Sequence, residues 1–232
     1  MPVTPFDATP TPRREFIGQV AAAAAALSAA ACAAPAAAIQ AAAAPAPRPP
    51  VKWDDAWTAR ITGKHKGVFD APEIAEGTVI ANANVWMKAN KDVYGLQDSD
   101  LSAVLVVRHS ALPMFMDDWY WDRYDLGKLM KVKDDATRKW AKRNPFWKPE
   151  PGAKGPNPYT FESLNARGCI LIGCNLAAMG LAYEAAEKTK APIAEMQDEV
   201  KAHLIPGVTL APNGVFAVMR AQEAGCTYMR SA

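Results

Sequence analysis

The chain has 232 residues, is 50% hydrophobic and carries a formal net charge of +2. A balance so close to neutral speaks against a strongly basic nucleic-acid protein, and 22% charged with 9% aromatic residues speak against wholesale disorder. Twenty of the 46 alanines lie in the first 50 residues, with only two of the 20 aromatics, so that stretch cannot build a core. The remainder suffices for a single well-buried domain.

Residues 1–12 are polar and proline-rich, and Arg13-Arg14-Glu15-Phe16-Ile17-Gly18 follow. An alanine-dominated run then extends over 20–39. A basic region, a weakly apolar region and small residues near a cleavage point are the parts of an export signal. Arg13-Arg14 with Phe16 and Ile17 resembles the twin-arginine signal, which a receptor of the Tat export machinery reads. That resemblance implies a folded, exported protein in a bacterial periplasm. Small residues at Ala36 and Ala38 place cleavage after residue 38, with 39–63 as a Pro/Ala-rich tether.

Three other readings of the leader stay open. The run is about 20 residues long, as a transmembrane helix would be. Alanine contributes little transfer free energy, however, and Pro35 interrupts the run, so no stable membrane span is expected. A disordered low-complexity tail is the second reading. Lipidation at Cys32 is the third, although Ala29 stands where a large aliphatic residue is usual. Cleavage would leave three cysteines: Cys169, Cys174 and Cys226. An odd count in an oxidising compartment implies at least one thiol that is free or paired between molecules.

From residue 64 onward, strand-like and helix-like runs alternate. Residues 66–70 form a short strand, and 72–89 read as a helix with Pro72 at its start and Glu73 and Glu76 in the first turn. LSAVLVV at 101–107 is nearly continuously apolar, as in a strand buried on both faces. GCILIGC at 168–174 is a second such run, and a helix follows over 175–188. A further helix over 191–203 leads to a short strand at 207–210. Pro212-Asn213-Gly214 opens another helix, Gly225 would cap its C-terminus, and 226–230 make a last strand.

The pattern predicts a three-layer α/β/α domain over 64–232 with a mostly parallel sheet of about five strands. Residues 110–159 interrupt it with nine aromatics and six prolines, partly helical near 115–143. Such long insertions serve as lids or interfaces, or simply cover a sheet edge.

In doubly wound sheets, ligands bind beyond the carboxyl ends of the strands. Arg108 and His109 close one central strand, and Cys174 and Asn175 close the other. A thiol at a helix N-terminus feels the positive end of the helix dipole, which favours the thiolate. Asn175 is the expected cap, and the alternative for Cys174 is a small buried hydrophobe. His109 suits proton transfer near neutral pH, or a hydrogen bond to a loop.

Asp118, Asp122 and Asp125 at i, i+4, i+7 would share a helical face. That face is read as solvated rather than as a cation site, and no metal is expected. No phosphate loop, GxSxG, HExxH or CxxC is present, so no cofactor is expected.

LNARGCILIGCNL at 164–176 and LIPGVTLAPNGVFAVMRAQEAGCTYMR at 204–230 resemble the DsrE/DsrF-like family of α/β proteins, which includes sulfur-relay subunits. The resemblance covers 64–109 and 160–230 and omits the insertion. It implies a persulfide-carrying cysteine in the central region, which falls on Cys174, and a homo-oligomer. The expectation is an exported domain that binds a small sulfur-containing or redox ligand. Cys174 is its reactive thiol, and His109, Asn175 and Arg108 are polar neighbours. Trp119 and Trp121 from the insertion cover the site. The alternative is a noncatalytic module whose aromatic insertion forms an oligomer or partner interface.

Overall fold

A computed structural model describes residues 52–134, 137–148 and 157–232. The expected export signal and its cleavage point lie outside the described residues. Five strands form one sheet: β1 His65–Ala71, β2 Leu101–Val107, β3 Ile170–Cys174, β4 Val208–Ala211 and β5 Thr227–Arg230. Their order is β4-β3-β2-β1-β5, and every pairing is parallel. The helices are α1 Thr78–Tyr94, α2 Asp118–Arg123, α3 Leu126–Leu129, α4 Phe161–Ala166, α5 Asn175–Thr189, α6 Ile193–Ala202 and α7 Gly214–Glu223. The expected three-layer α/β architecture is present.

Strand alternation divides the core in two. Phe69, Ala103, Leu105, Val107 and Leu171 point to one face, where α1, α4, α5, α6 and the insertion pack. Val68, Val104, Val106, Ile170 and Ile172 point to the other, which is covered by Ala217, Val218 and Ala221 of α7. Trp57 and Ile61 join this second cluster, from a 3-10 helix at Ala56–Arg60 and the residue after it. The folded unit therefore reaches back into the segment expected to be tether.

The two faces follow from the handedness of parallel crossovers. Stepping from β1 to β4, the chain moves one way across the sheet with its connections on the first face. From β4 to β5 it moves back past three strands, so a right-handed connection must lie on the second face.

Several local expectations need correction. The helix after β1 begins at Thr78 rather than at Pro72, because Ala75, Glu76 and Gly77 adopt φ of 40°, 55° and 79° and break the helical path. Asp125, at φ 53°, separates α2 from α3, so the three aspartates do not share one helix. Asp122 and Asp125 instead flank Lys142 at 3.2 and 2.7 Å. Gly225 ends α7 as expected: at φ 94° it donates to Gln222 O, while Cys226 N–H reaches Ala221 O.

Candidate functional site

The carboxyl ends of β3 and β4 form the point where the connections diverge: β3 leads to α5 on the first face, and β4 to α7 on the second. Cys174 and Ala211 are register partners there. In open α/β sheets this divergence opens the crevice that receives ligands. Cys174 lies at the divergence.

The thiol, rather than Asn175, caps α5. Cys174 is extended at φ −81°, ψ 110°, and its Sγ accepts the Ala177 N–H at 3.4 Å. Asn175 is the first helical residue and is half-buried. Cys174 itself is 6% exposed.

Arg108 stands beside it. The β2–β3 register pairs Val107 with Gly173, which sets Arg108 level with Cys174. Its guanidinium is held by Asp70 through Nε to Oδ1 at 2.7 Å and Nη2 to Oδ2 at 3.0 Å. Asp70 has 2% exposure at the end of β1, and its Oδ2 also accepts the Tyr228 hydroxyl at 3.0 Å from β5.

The parity of the strands puts Tyr228, Asp70, Arg108 and Cys174 on the α7 side, in a diagonal row across β5, β1, β2 and β3. Hydrogen bonding to Asp70 raises the Arg108 pKa against the opposing effect of burial, and the charges of Asp70, Tyr228 and Cys174 raise it further. Burial, followed by the bond to Asp70, pushes the Tyr228 hydroxyl up as well, so it stays a donor.

Gly214 is what lets α7 close over this row. A Cβ there would lie 2.4 Å from Arg108 Cβ and 2.6 Å from its Cδ, so only glycine allows the approach. The preceding residue, Asn213, caps α7 by accepting the Phe216 N–H at 2.8 Å.

The other expected site residues are placed differently. His109 follows Arg108 at φ 53°, is exposed, and has no hydrogen bond to Cys174. Trp121 has no exposed surface, and its indole N–H donates to Pro113 O at 2.8 Å, so it offers a ligand nothing. Trp119 is 45% exposed and stacks on His203 at 4.1 Å, in the first-face layer. His203 Nδ1 is in turn 2.8 Å from Asp117 Oδ2. The buried aromatics among the described residues of the insertion, such as Phe115, Tyr120 and Trp121, pack on the face opposite Arg108 and Cys174.

Two members of the row, Asp70 and Tyr228, were not expected from the sequence. The available signal was a carboxylate in a strand otherwise buried on both faces. Cys169 and Cys226 behave as buried hydrophobes: burial pushes their thiols up to about 12 and about 11. The three cysteines of the described residues are free and buried. No cluster of metal-ligating side chains and no helix long and apolar enough to cross a membrane occurs among the described residues. No family model, curated protein or solved structure matches the chain.

Proposed function

We propose that the protein is an exported DsrE-like thiol protein that takes up sulfur, or binds a small sulfur-containing ligand, at Cys174. The observation that carries this reading is the position of Cys174: at the divergence of β3 and β4, capping α5 and level with an arginine fixed by a buried carboxylate. An amide N–H and a guanidinium beside sulfur stabilise negative charge on it and on an attached sulfur atom. Loading from polysulfide needs no external oxidant. The Cys174 thiolate attacks a sulfane sulfur, one S–S bond forms as another breaks, and the shortened polysulfide leaves with the electron pair.

Intact-mass measurement after polysulfide treatment tests the proposal. Mass additions of sulfur on the wild type and none on Cys174→Ala are expected; equal loading of both overturns it. Fractionation of cells expressing the full chain tests export. Arg13→Lys with Arg14→Lys should leave the protein in the cytoplasm, and unchanged periplasmic yield would refute a twin-arginine route.

A second reading is a noncatalytic homo-oligomeric module that uses exposed apolar surface. Phe115, Tyr120, Trp121, Tyr124 and Phe146 of the insertion are turned into the core, whereas Trp119, Trp140 and Tyr159 of the insertion and Val215, Phe216 and Met219 of α7 are exposed. Light scattering on the wild type and on Met219→Glu distinguishes this reading. A dimer or larger species that dissociates in the variant, with sulfur loading unchanged, would favour it.

A further inference from the structure

Asp70 engages one edge of Arg108 and leaves the other. Its two oxygens take Nε at 2.7 Å and Nη2 at 3.0 Å, a side-on fork. A guanidinium carries N–H donors along both edges of a fixed plane. The outer edge, made by Nη1 and the remaining hydrogen of Nη2, has no partner among the described residues. Gly214 lies against the Cβ, Cγ and Cδ of Arg108, and Asp70, at 2% exposure, lies against its inner edge. The side chain is nevertheless 28% exposed, so its open surface is at the outer edge.

The surroundings suit an anion on that edge. Asp70 and Arg108 cancel in charge, so the edge offers oriented donors rather than a surplus of charge. Glu73, beyond the end of β1, is paired with Arg230. The positive end of α7 starts at Gly214, against the arginine side chain. Asn213 takes the Phe216 N–H, and the N–H groups of Gly214 and Val215 ahead of it find no acceptor among the described residues.

We propose that Arg108 anchors the carboxylate of the sulfur donor, so that Cys174 takes sulfur from small carboxylate-bearing persulfides. This rests on the reading of Cys174 as the sulfur-accepting thiol. A planar carboxylate matches the two parallel N–H groups of a free guanidinium edge. Arg108 and Cys174 are level on neighbouring strands, whose backbones run about 4.8 Å apart. A donor whose carboxylate lies a few bonds from its sulfur spans them. Cys174 is 6% exposed, and a thiol with so little surface is reached along one approach, which an anchored donor follows. In the transfer, the Cys174 thiolate attacks the outer sulfur of the persulfide R–S–SH. The new S–S bond forms as the donor's S–S bond breaks, the proton stays on the transferred sulfur, and the electron pair leaves on the donor's thiolate.

Loading of the full chain by the persulfide of 3-mercaptopropionate, and by that of its methyl ester, tests the inference. Intact mass follows both reactions. Each rate is divided by the rate of the same donor with free 2-mercaptoethanol, which removes differences in the leaving group. The corrected rate should be at least about tenfold higher for the acid than for the ester. Arg108→Lys keeps a charge but not the fork, and should bring that ratio to within about threefold of unity.

A ratio near one in the wild type overturns the proposal, and that measurement needs no variant to fold. A high ratio that survives in Arg108→Lys overturns it as well. So does faster loading from thiosulfate than from the acid, which would identify a sulfonate as the anchored group. Loading by inorganic polysulfide together with a ratio near one defeats the carboxylate anchor alone. No loading from any donor defeats the sulfur-accepting role of Cys174 with it.

Discussion

Asp70 holds Arg108 through two guanidinium nitrogens, at 2.7 and 3.0 Å, from a position almost sealed from solvent. The pair crosses from β1 to the residue after β2, and Tyr228 adds β5 through the same carboxylate. Three strands are thereby tied at their carboxyl ends, beside the cysteine at the end of a fourth. A charge removed from water in this way is stable only while its partner stays in place.

Asp70→Ala should therefore cost about 3 kcal/mol of stability, because it strands the guanidinium in a partly buried site. Chemical denaturation measures the loss. Asp70→Asn keeps the shape and one acceptor, so it should cost less while still loosening Arg108. Loss of the fixed guanidinium should slow polysulfide loading of Cys174 in this variant. An unchanged loading rate would mean that the pair is structural only.

Gly214→Ala should act on the same pair from above. The added methyl would meet Arg108 side-chain carbons at 2.4 and 2.6 Å, so either the arginine or the start of α7 has to move. Overpacking of this kind costs about 1–3 kcal/mol. A crystal structure of the variant should show the Asp70–Arg108 bonds lengthened or lost. Unaltered bonds together with wild-type stability would contradict the tight approach.

The thiols should separate by pH. With pKa values near 12 and 11, Cys169 and Cys226 are about one part in 10,000 and one part in 1,000 thiolate at pH 8. Raising the pH increases the thiolate of both, so their labelling should rise about tenfold per pH unit up to their pKa values. Peptide mapping after brief iodoacetamide treatment of the native protein at pH 8 should find label on Cys174 alone. Faster labelling of Cys226 would rule out Cys174 as the reactive thiol.

Asp98 should make stability pH-dependent at the acidic end. Burial raises its pKa, but bonds from Arg167, at 3.1 and 3.2 Å, and from Lys91, at 2.9 Å, outweigh burial and hold it below its ordinary value. A depressed folded pKa contributes stability that is present above the unfolded value and is lost as pH falls through the folded one. Asp98→Asn should thus destabilise the protein by about 1–2 kcal/mol at pH 7. The gap to wild type should close as pH falls below the ordinary carboxylate range and through the folded pKa. A gap that persists there would show that packing, not charge, is responsible.

Much of the scaffold was legible in the chain because its determinants are local. LSAVLVV formed β2 over the expected residues, and the helix after Cys174 ran one residue beyond its expected end, since continuous apolar runs and helical periodicity are written in neighbouring positions. The start of α1 was misread because three successive positive φ values override the preference of Pro72 and the two glutamates. Trp121 suited a ligand wall only while its neighbours were unknown; Pro113 and the first-face core claim it.

By itself the sequence determined the α/β class, the two central strands and a cysteine at a strand-to-helix junction. Each of these depends on residues within about ten positions of one another. Tertiary structure alone decided that β5 lies beside β1 and that α7 crosses the second face, because crossover handedness acts only once strand order is set. That arrangement brings Tyr228, Asp70, Arg108 and Cys174 into one diagonal row, across as many as 158 residues of chain. It also leaves the buried aromatics of the insertion's described residues on the opposite face.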